Sequence, residues 1–419
     1  MQNRRTFIGS AAGAVTGLAA GRGGAGTIPA ATFTAAYDVD RSVLNFDAAY
    51  YGAMTRTTQA VYRSHGDWVN RHNALFLRSA LPGPSRDERL QPATDAVATL
   101  IGARADEIAL CGGGTEALYA LIANYRRLNT GDAVAMADID YDEMQHAMGY
   151  LEATCGVRLV RFTVPEPSTA ANILAAYDRL LRDTPRLKLL LLTQLSNRNG
   201  LILPVREIVA LARTRGVDVI LDAAQSVGHM PVDVDDLGVD FMGFSLHKWI
   251  AAPLGTGAIY IRRSRLADVA PWLGNHIRDE DDVRARIPTG TADIAARLTV
   301  PHAIAEHQAL DPRRKLEHLI ALRDRWVGQV RDVPGLTIVQ PDEPGRYAAI
   351  GAFRLPGQRD WAQAQAAQKR FLDRHRMLVV AKQGLASGPV LRVTPAIFTT
   401  TDELDRLAAA IRAERGLFV

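Results

Sequence analysis

The chain has 419 residues, 47% hydrophobic and 22% charged, with 49 Lys+Arg against 45 Asp+Glu and a net charge of +4. Its length exceeds one ordinary domain of about 100–150 residues and predicts two lobes. The composition excludes wholesale disorder, collagen and coiled coil. Two cysteines with no CxxC pair exclude a disulfide scaffold and a structural zinc site; Cys111 and Cys155 sit beside apolar residues and are expected as two buried free thiols.

Residues 1–36 differ from the rest. Asn3-Arg4-Arg5-Thr6-Phe7-Ile8 precedes a short apolar run from Ala11 to Ala20, then a Gly/Ala/Thr-rich stretch with no acid before Asp38. Positive start, short apolar run and small residues are the layout of a secretory signal. The paired arginines resemble a twin-arginine signal, although Asn3 replaces the usual Ser/Thr and Gly9 the usual Lys. Export to the periplasm is the expectation, with a cytoplasmic protein carrying an Ala/Gly tail as the alternative. No stretch is apolar enough to span a bilayer.

From residue 37 to 60 a connecting segment leads into a large domain expected over 61–275. Strands are predicted at Glu107–Cys111, Ala133–Ala137, Arg158–Phe162, Leu187–Thr193, Val217–Leu221, Phe241–Phe244 and Thr256–Ile261. Leu187–Thr193 is nearly all apolar, as in a strand buried on both faces. Between strands lie helical periods, such as Ala117, Leu118, Leu121, Ile122, Tyr125 and Leu128. Strand–helix alternation predicts an α/β fold around a mostly parallel seven-stranded sheet. After about residue 275 the texture changes to long charged helices (300–332), then short strands (336–339, 349–355, 377–381, 390–394) and helices (360–375, 402–415). This predicts a smaller α+β C-terminal domain over 276–419. The basic run Arg313-Arg314-Lys315 reads as a solvated helix face rather than a nucleic-acid footprint.

Three constellations carry chemistry. Cys111-Gly112-Gly113-Gly114-Thr115 links a strand end to a helix start, where free N–H groups and the helix dipole suit a phosphate. Alone it describes a tight turn equally well. Asp222 ends an apolar strand, at the edge where open α/β sheets bind ligands; alone, it reads equally as a helix cap. Lys248, in Ser245-Leu246-His247-Lys248, follows another apolar strand, and a desolvated lysine loses its proton and becomes a nucleophile. Alone, such a lysine snorkels to the surface. Together, a phosphate cradle, a strand-end carboxylate and a Schiff-base lysine compose a site for pyridoxal 5'-phosphate, whose ring acts as an electron sink.

With these motifs the sequence resembles the class V aminotransferases of the fold-type I pyridoxal phosphate enzymes, the group containing cysteine desulfurases and isopenicillin N epimerase. The stretch from Asp222-Ala223-Ala224-Gln225 to Ser245-Leu246-His247-Lys248 carries the resemblance, and Pro253-Leu254-Gly255-Thr256-Gly257 is epimerase-like. The resemblance implies that Lys248 holds the cofactor and moves the substrate Cα proton, that Asp222 pairs with the pyridine nitrogen, and that Gln225 lies near the phenolic oxygen. It implies phosphate contacts from Gly114, Thr115, Ser245 and His247, with Thr291 reaching in from a partner subunit of a homodimer. Tyr141 is implied as the stacking ring, or else as a packing residue at a helix start. Asn197 lies near cofactor and substrate, and Arg392 forks onto the substrate carboxylate, or else is a surface strand arginine. Phe46–Met54 and Arg71–Ser85 are expected to shape specificity.

The implied function is aminotransferase or epimerase action on an amino acid or amino-acid-derived, peptidic metabolite. A β-elimination or C–S lyase, and a non-catalytic binding protein on the same fold, are the alternatives. Two features depart from the family. The loop Lys382-Gln383-Gly384-Leu385-Ala386-Ser387-Gly388 lacks the nucleophilic Cys of a desulfurase, and three glycines precede Thr115.

Overall fold

The computed structural model describes residues 33 and 35–419. The signal-like stretch therefore lies, but for its last residues, outside the described residues.

The chain enters through strand β1 (Leu44–Asn45) and helices α1 (Arg56–Leu77) and α2 (Arg86–Leu100). Ser85 starts α2 in a reciprocal capping box with Glu88: its hydroxyl accepts from Glu88 N at 3.2 Å, and Glu88 accepts from Ser85 N at 2.7 Å. Then strands and helices alternate: β2 (Ile108–Cys111), α3 (Gly114–Ala123), β3 (Ala133–Ala137), α4 (Asp142–Cys155), β4 (Arg158–Phe162), α5 (Ala170–Asp183), β5 (Leu187–Thr193), α6 (Val205–Thr214), β6 (Asp218–Asp222), the short α7 (Val234–Leu237), β7 (Phe241–Ser245) and β8 (Gly257–Ile261).

These seven strands, β2 to β8, form one sheet in the order β2-β8-β7-β6-β5-β3-β4. All run parallel except β8, which is antiparallel to both neighbours. β5 is buried along its length except at Lys188, as its apolar run predicts. Helix α3 ends at Ala123, earlier than its periodicity suggests. Tyr125 instead forms a bridge to Val269 and donates its hydroxyl to Asp218.

The second half holds α8 (Ile294–Ala309), α9 (Pro312–Val330), β9 (Thr337–Ile338), β10 (Gly351–Arg354), α10 (Trp361–His375), β11 (Met377–Leu378), β12 (Val380–Lys382), β13 (Val390–Val393) and α11 (Thr401–Ala413). Asp311 caps α9 and Pro312 opens it, separating α8 from α9 within the stretch of expected helices at 300–332. A four-stranded antiparallel sheet runs β12-β13-β10-β9. Its core gathers Leu322 and Trp326 of α9, Phe353, Phe371, Leu404 and Ile411. The change of core does not coincide with the change of texture near residue 275. Val300, Ala303 and Ile304 of α8 belong to the core of the large sheet, and α8 packs on α1 and α2. The second core begins with α9.

The N-terminal segment belongs to this second core as well. Leu44 and Asn45 pair in parallel with Met377 and Leu378, and Asp47 bridges to Thr394. Two expectations fail. Cys155, at the end of α4, is only half-buried, whereas Cys111 is fully buried. Lys315 is not on a solvated face: Arg313 and Arg314 are exposed, but the helical rotation to the next residue carries Lys315 inward to 6% exposure.

Candidate active site

The C-terminal ends of five parallel strands, and the turns after them, converge on one crevice, as an open α/β sheet requires. β2 delivers the glycine turn, β3 leads to Tyr141, β5 to Asn197, β6 ends in Asp222 and β7 leads to Lys248.

Lys248 is half-buried, and its side chain forms no hydrogen bond or ion pair among the described residues. Burial loosens its proton, and its pKa lies below the ordinary lysine range although Asp222 and Asp47 oppose the shift; Arg392 adds to it. Asp222 is 4% exposed. Among the described residues its carboxylate accepts one hydrogen bond, at 2.9 Å from Ala224 N. Burial raises its pKa, and the nearby Lys248 charge partly restrains the rise. A buried carboxylate with spare lone pairs needs a cationic partner.

The glycine turn packs against both elements. Gly114 N–H donates to Ser245 Oγ at 3.1 Å. A Cβ on Gly114 would lie 3.0 Å from that oxygen, and one on Gly113 3.2 Å from His247 Cε1. A Cβ on Gly257 would lie only 2.4 Å from Gly113 Cα. The glycines are therefore required by the close approach of β2, β7 and β8. His247 Nδ1 lies 2.9 Å from Thr256 O, and a carbonyl only accepts, so Nδ1 carries the proton and Nε2 remains an acceptor. Thr115 is exposed at the first turn of α3.

Gln225 is engaged on the protein side: it donates to Ala49 O at 3.0 Å and accepts from Trp249 Nε1 at 2.9 Å. His229 stacks on Trp249 with ring centroids 3.6 Å apart. Its Nδ1 donates to Gln225 O at 3.1 Å and its Nε2 accepts from Ala349 N at 3.0 Å. Burial, first, and Lys315 push its pKa down to about 3, so it is neutral. Tyr141 caps α4, half-buried, and packs against the core on that side of the sheet.

On the opposite wall, Arg392 is 3% exposed. Its Nη1 donates to Asn197 O at 2.7 Å and its Nη2 to Asp47. Asn197 Oδ1 is buried without a partner, an acceptor left for a ligand. Thr291 is exposed and lies elsewhere, lining a cavity of about 710 Å³ whose walls include Arg86, Arg284 and Arg297 but not Lys248. Within one chain it is not brought to the site.

Sequence reasoning missed Asp47, Arg198 and Asp140 as individual residues. Arg198 is buried and donates to Asp140 O at 2.9 Å and Asp142 at 2.7 Å. Asp140 is buried with Oδ1 unpartnered, and burial, chiefly, pushes its pKa up to about 7. Asp47 falls inside the Phe46–Met54 span expected to shape specificity; nothing in the sequence marks its partner.

The comparisons with known proteins agree with this geometry. Residues 49–407 match the Aminotransferase class-V family model. The chain belongs to the class V aminotransferase family. It is 30% identical over 345 residues to isopenicillin N epimerase of Streptomyces clavuligerus, covering 78% of this chain and 85% of that protein. It is also 30% identical over 396 residues to a cysteine desulfurase of Synechococcus elongatus, covering 89% of this chain but only 60% of that protein. Among solved structures, a cysteine desulfurase from Escherichia coli superposes with TM-score 0.78 at 21% identity, over 94% of this chain and all of that one. The cystine C–S lyase C-DES, bound to its product cysteine persulfide, superposes with TM-score 0.74 at 18% identity, over 88% of this chain and 97% of that one. The fold is that of fold-type I enzymes, and pyridoxal phosphate is the cofactor. The site fits it: the glycine turn leaves a cradle that Cβ atoms would fill, Asp222 is a buried carboxylate with one hydrogen bond among the described residues, and the Lys248 amine, without a side-chain partner among the described residues, feels the charges of Asp222 and Arg392. Among the described residues no helix is long and apolar enough to cross a membrane, and no cluster of His, Cys, Asp or Glu is arranged to hold a metal.

Proposed function

We propose that the protein acts at the α-carbon of an amino acid or amino-acid-derived, peptidic metabolite, exchanging its proton in the manner of an epimerase or aminotransferase. The observation that carries this reading is Lys248: half-buried, its side chain unpaired among the described residues, its proton loosened by burial, and within electrostatic reach of both Asp222 and Arg392. Bound pyridoxal phosphate supplies an electron sink for negative charge developing at the substrate Cα.

The chain's own residues do the rest. Asp222, held by Ala224 N, balances a cationic ring nitrogen. The glycine turn and the dipole at the start of α3 receive a phosphate. His247, with Nδ1 committed to Thr256 O, is oriented beside that turn. Neutral Lys248 Nζ takes the proton from Cα and, as the ammonium, returns it. Buried Arg392 and the Asn197 side chain mark the substrate's acid end.

The epimerase relative of 85% coverage supports this reading, and the cysteines weigh against desulfurase chemistry. Cys111 is buried beneath the glycine turn, burial pushing its thiol up to about 12, and Cys155 ends α4. Lyase action, which needs no cysteine nucleophile, remains the second reading, favoured by the C–S lyase fold likeness. The family resemblance, which brings Thr291 in from a partner subunit, supports a homodimer with shared sites, and the paired arginines support periplasmic export. Sedimentation and cell fractionation test these two.

The deciding experiment adds amino acids and dipeptides to the cofactor-loaded protein in heavy water. Deuterium entering at Cα, abolished by Lys248→Ala, is expected. Conversion of the cofactor to its amine form identifies an aminotransferase, inversion of Cα an epimerase, and release of a β-substituent a lyase. Deuterium uptake undiminished in Lys248→Ala refutes the proposal.

A further inference from the structure

Arg198 follows Asn197 in the chain, is 1% exposed, and has no part in the chemistry proposed above. Each of its three side-chain nitrogens has an acceptor. Nε and Nη2 donate to Asp140 O at 3.1 and 2.9 Å, Nη2 also to Asp142 Oδ1 at 2.7 Å, and Nη1 to Gln383 O. Asp140 and Asp142 stand on either side of Tyr141, so the guanidinium spans the turn that presents that ring. Gln383 stands in the loop between β12 and β13, which leads to Arg392. One side chain therefore joins three pieces of the crevice wall: the exit of β3, the exit of β5 and a loop of the small sheet.

The loop is seated on the large domain by further contacts. Ala386 N donates to Asp138 Oδ2 at 2.9 Å. Leu385 is 7% exposed and belongs to the core of the large sheet. Gly384 lies against the guanidinium, where a Cβ would run into Arg198 Nη1. Asn197 O accepts from Arg392 Nη1 at 2.7 Å, so the dipeptide Asn197-Arg198 holds β13 by a carbonyl and the loop before it by a side chain. An apolar side chain of similar volume often fills a buried ionic position at no loss of stability, so packing alone does not account for an arginine here. The planar fork of a guanidinium does suit holding several groups in one geometry.

We infer that Arg198 is a positioning residue that clamps the Tyr141 turn and the loop 383–389 to Asn197, so that the wall carrying Arg392 stands formed before a substrate arrives. The inference rests on the proposed action at this site and adds what keeps its two walls in register. Arg392 remains the arginine at the substrate's acid end; Arg198 acts only through the residues it holds. Groups fixed in this way need no ordering when a ligand binds.

The test uses cofactor-loaded protein and two readouts besides activity. Trypsin reports on the loop, since Lys382–Gln383 is a tryptic bond at its start; cleavage after Lys369, inside helix α10, reports global opening. Circular dichroism of the cofactor's absorption band reports the asymmetry around its ring, and with it the setting of Tyr141. Arg198→Met is expected to speed cleavage after Lys382 about 10- to 100-fold, the range for lost charge-assisted bonds. Cleavage after Lys369 should stay as in the wild type, and the dichroic band should change. Should Arg198→Met not fold, Arg198→Lys, which keeps the charge without the planar fork, takes its place with the same expectations. Equal speeding after Lys382 and Lys369 means that Arg198 serves stability alone and overturns the inference. Wild-type behaviour in both readouts overturns it too, and either result leaves the proposed function standing. Failure of the proposed function shows separately, as a wild type that takes up no deuterium at Cα.

Discussion

Lys315 offers the clearest test of how this fold handles a misplaced charge. It is buried in α9, donates to Trp249 O at 2.5 Å, and lies 3.3 Å from His307 Nδ1. No carboxylate answers it among the described residues, and burial alone pushes its pKa from 10.5 down to about 7. His307 is likewise driven down to about 3, by burial first and Lys315 second, so it stays neutral and can accept from the ammonium. Because the folded pKa is depressed, the unfolded chain holds this proton across the range from about 7 to 10.5 and the folded chain does not. Stability therefore rises with pH through that window. With one pKa unit worth about 1.4 kcal/mol, the gain between about pH 7 and pH 9 is about 2 kcal/mol. Urea unfolding of wild type and Lys315→Met at these two pH values isolates it, since every other titrating group is common to both. The wild type should gain about 2 kcal/mol more than the variant on going to the higher pH. Equal gains in both proteins would mean that Lys315 keeps its proton in the fold.

Three shorter predictions follow from the site. Gly257→Ala places a Cβ 2.4 Å from Gly113 Cα and 2.6 Å from Phe244 O; backbone atoms cannot step aside, so a loss of about 1–3 kcal/mol in chemical denaturation is expected, together with weaker cofactor retention. Asp222→Asn removes the charge facing the ring nitrogen and should weaken cofactor binding about tenfold or more, read by dialysis and absorbance; unchanged retention would remove Asp222 from the site. In the native protein a thiol alkylator should modify half-buried Cys155 and spare Cys111, whose Sγ donates to Gly113 O at 3.3 Å, whereas denaturant should expose both. Rapid native labelling of Cys111, followed by mass spectrometry, would contradict its burial.

The large sheet was legible because each strand is a short apolar run bounded by turn residues, and sheet burial on two faces demands such runs. Asp222 and Lys248 stood out because charged residues at the ends of apolar strands are costly without a task. The second wall was not legible. Asp47 and Arg392 are 345 positions apart, and nothing local to Asn45-Phe46-Asp47 announces an arginine. Lys315 was hidden by its company, since three consecutive basic residues read as a surface although a helix turns each by about 100°. Within one chain Ser245, His247 and the glycines adjoin one another, Gln225 bonds Ala49 and Trp249, and Thr291, which the resemblance brings in from a partner subunit, lines a separate cavity.

The pairing of Leu44–Asn45 with β11, and of Asp47 with Arg392, also bears on how the molecule comes to be. A ribosome delivers Asp47 of this strap 345 positions before its partner Arg392. The large sheet can close on mostly local βαβ contacts while the strap waits. The wall that holds Arg392 must form by a closure over 345 positions, the kind of contact that slows folding. The cofactor half of the crevice is thus expected to exist before the substrate half, so a nascent or truncated chain would hold pyridoxal phosphate before it could select anything to react with it.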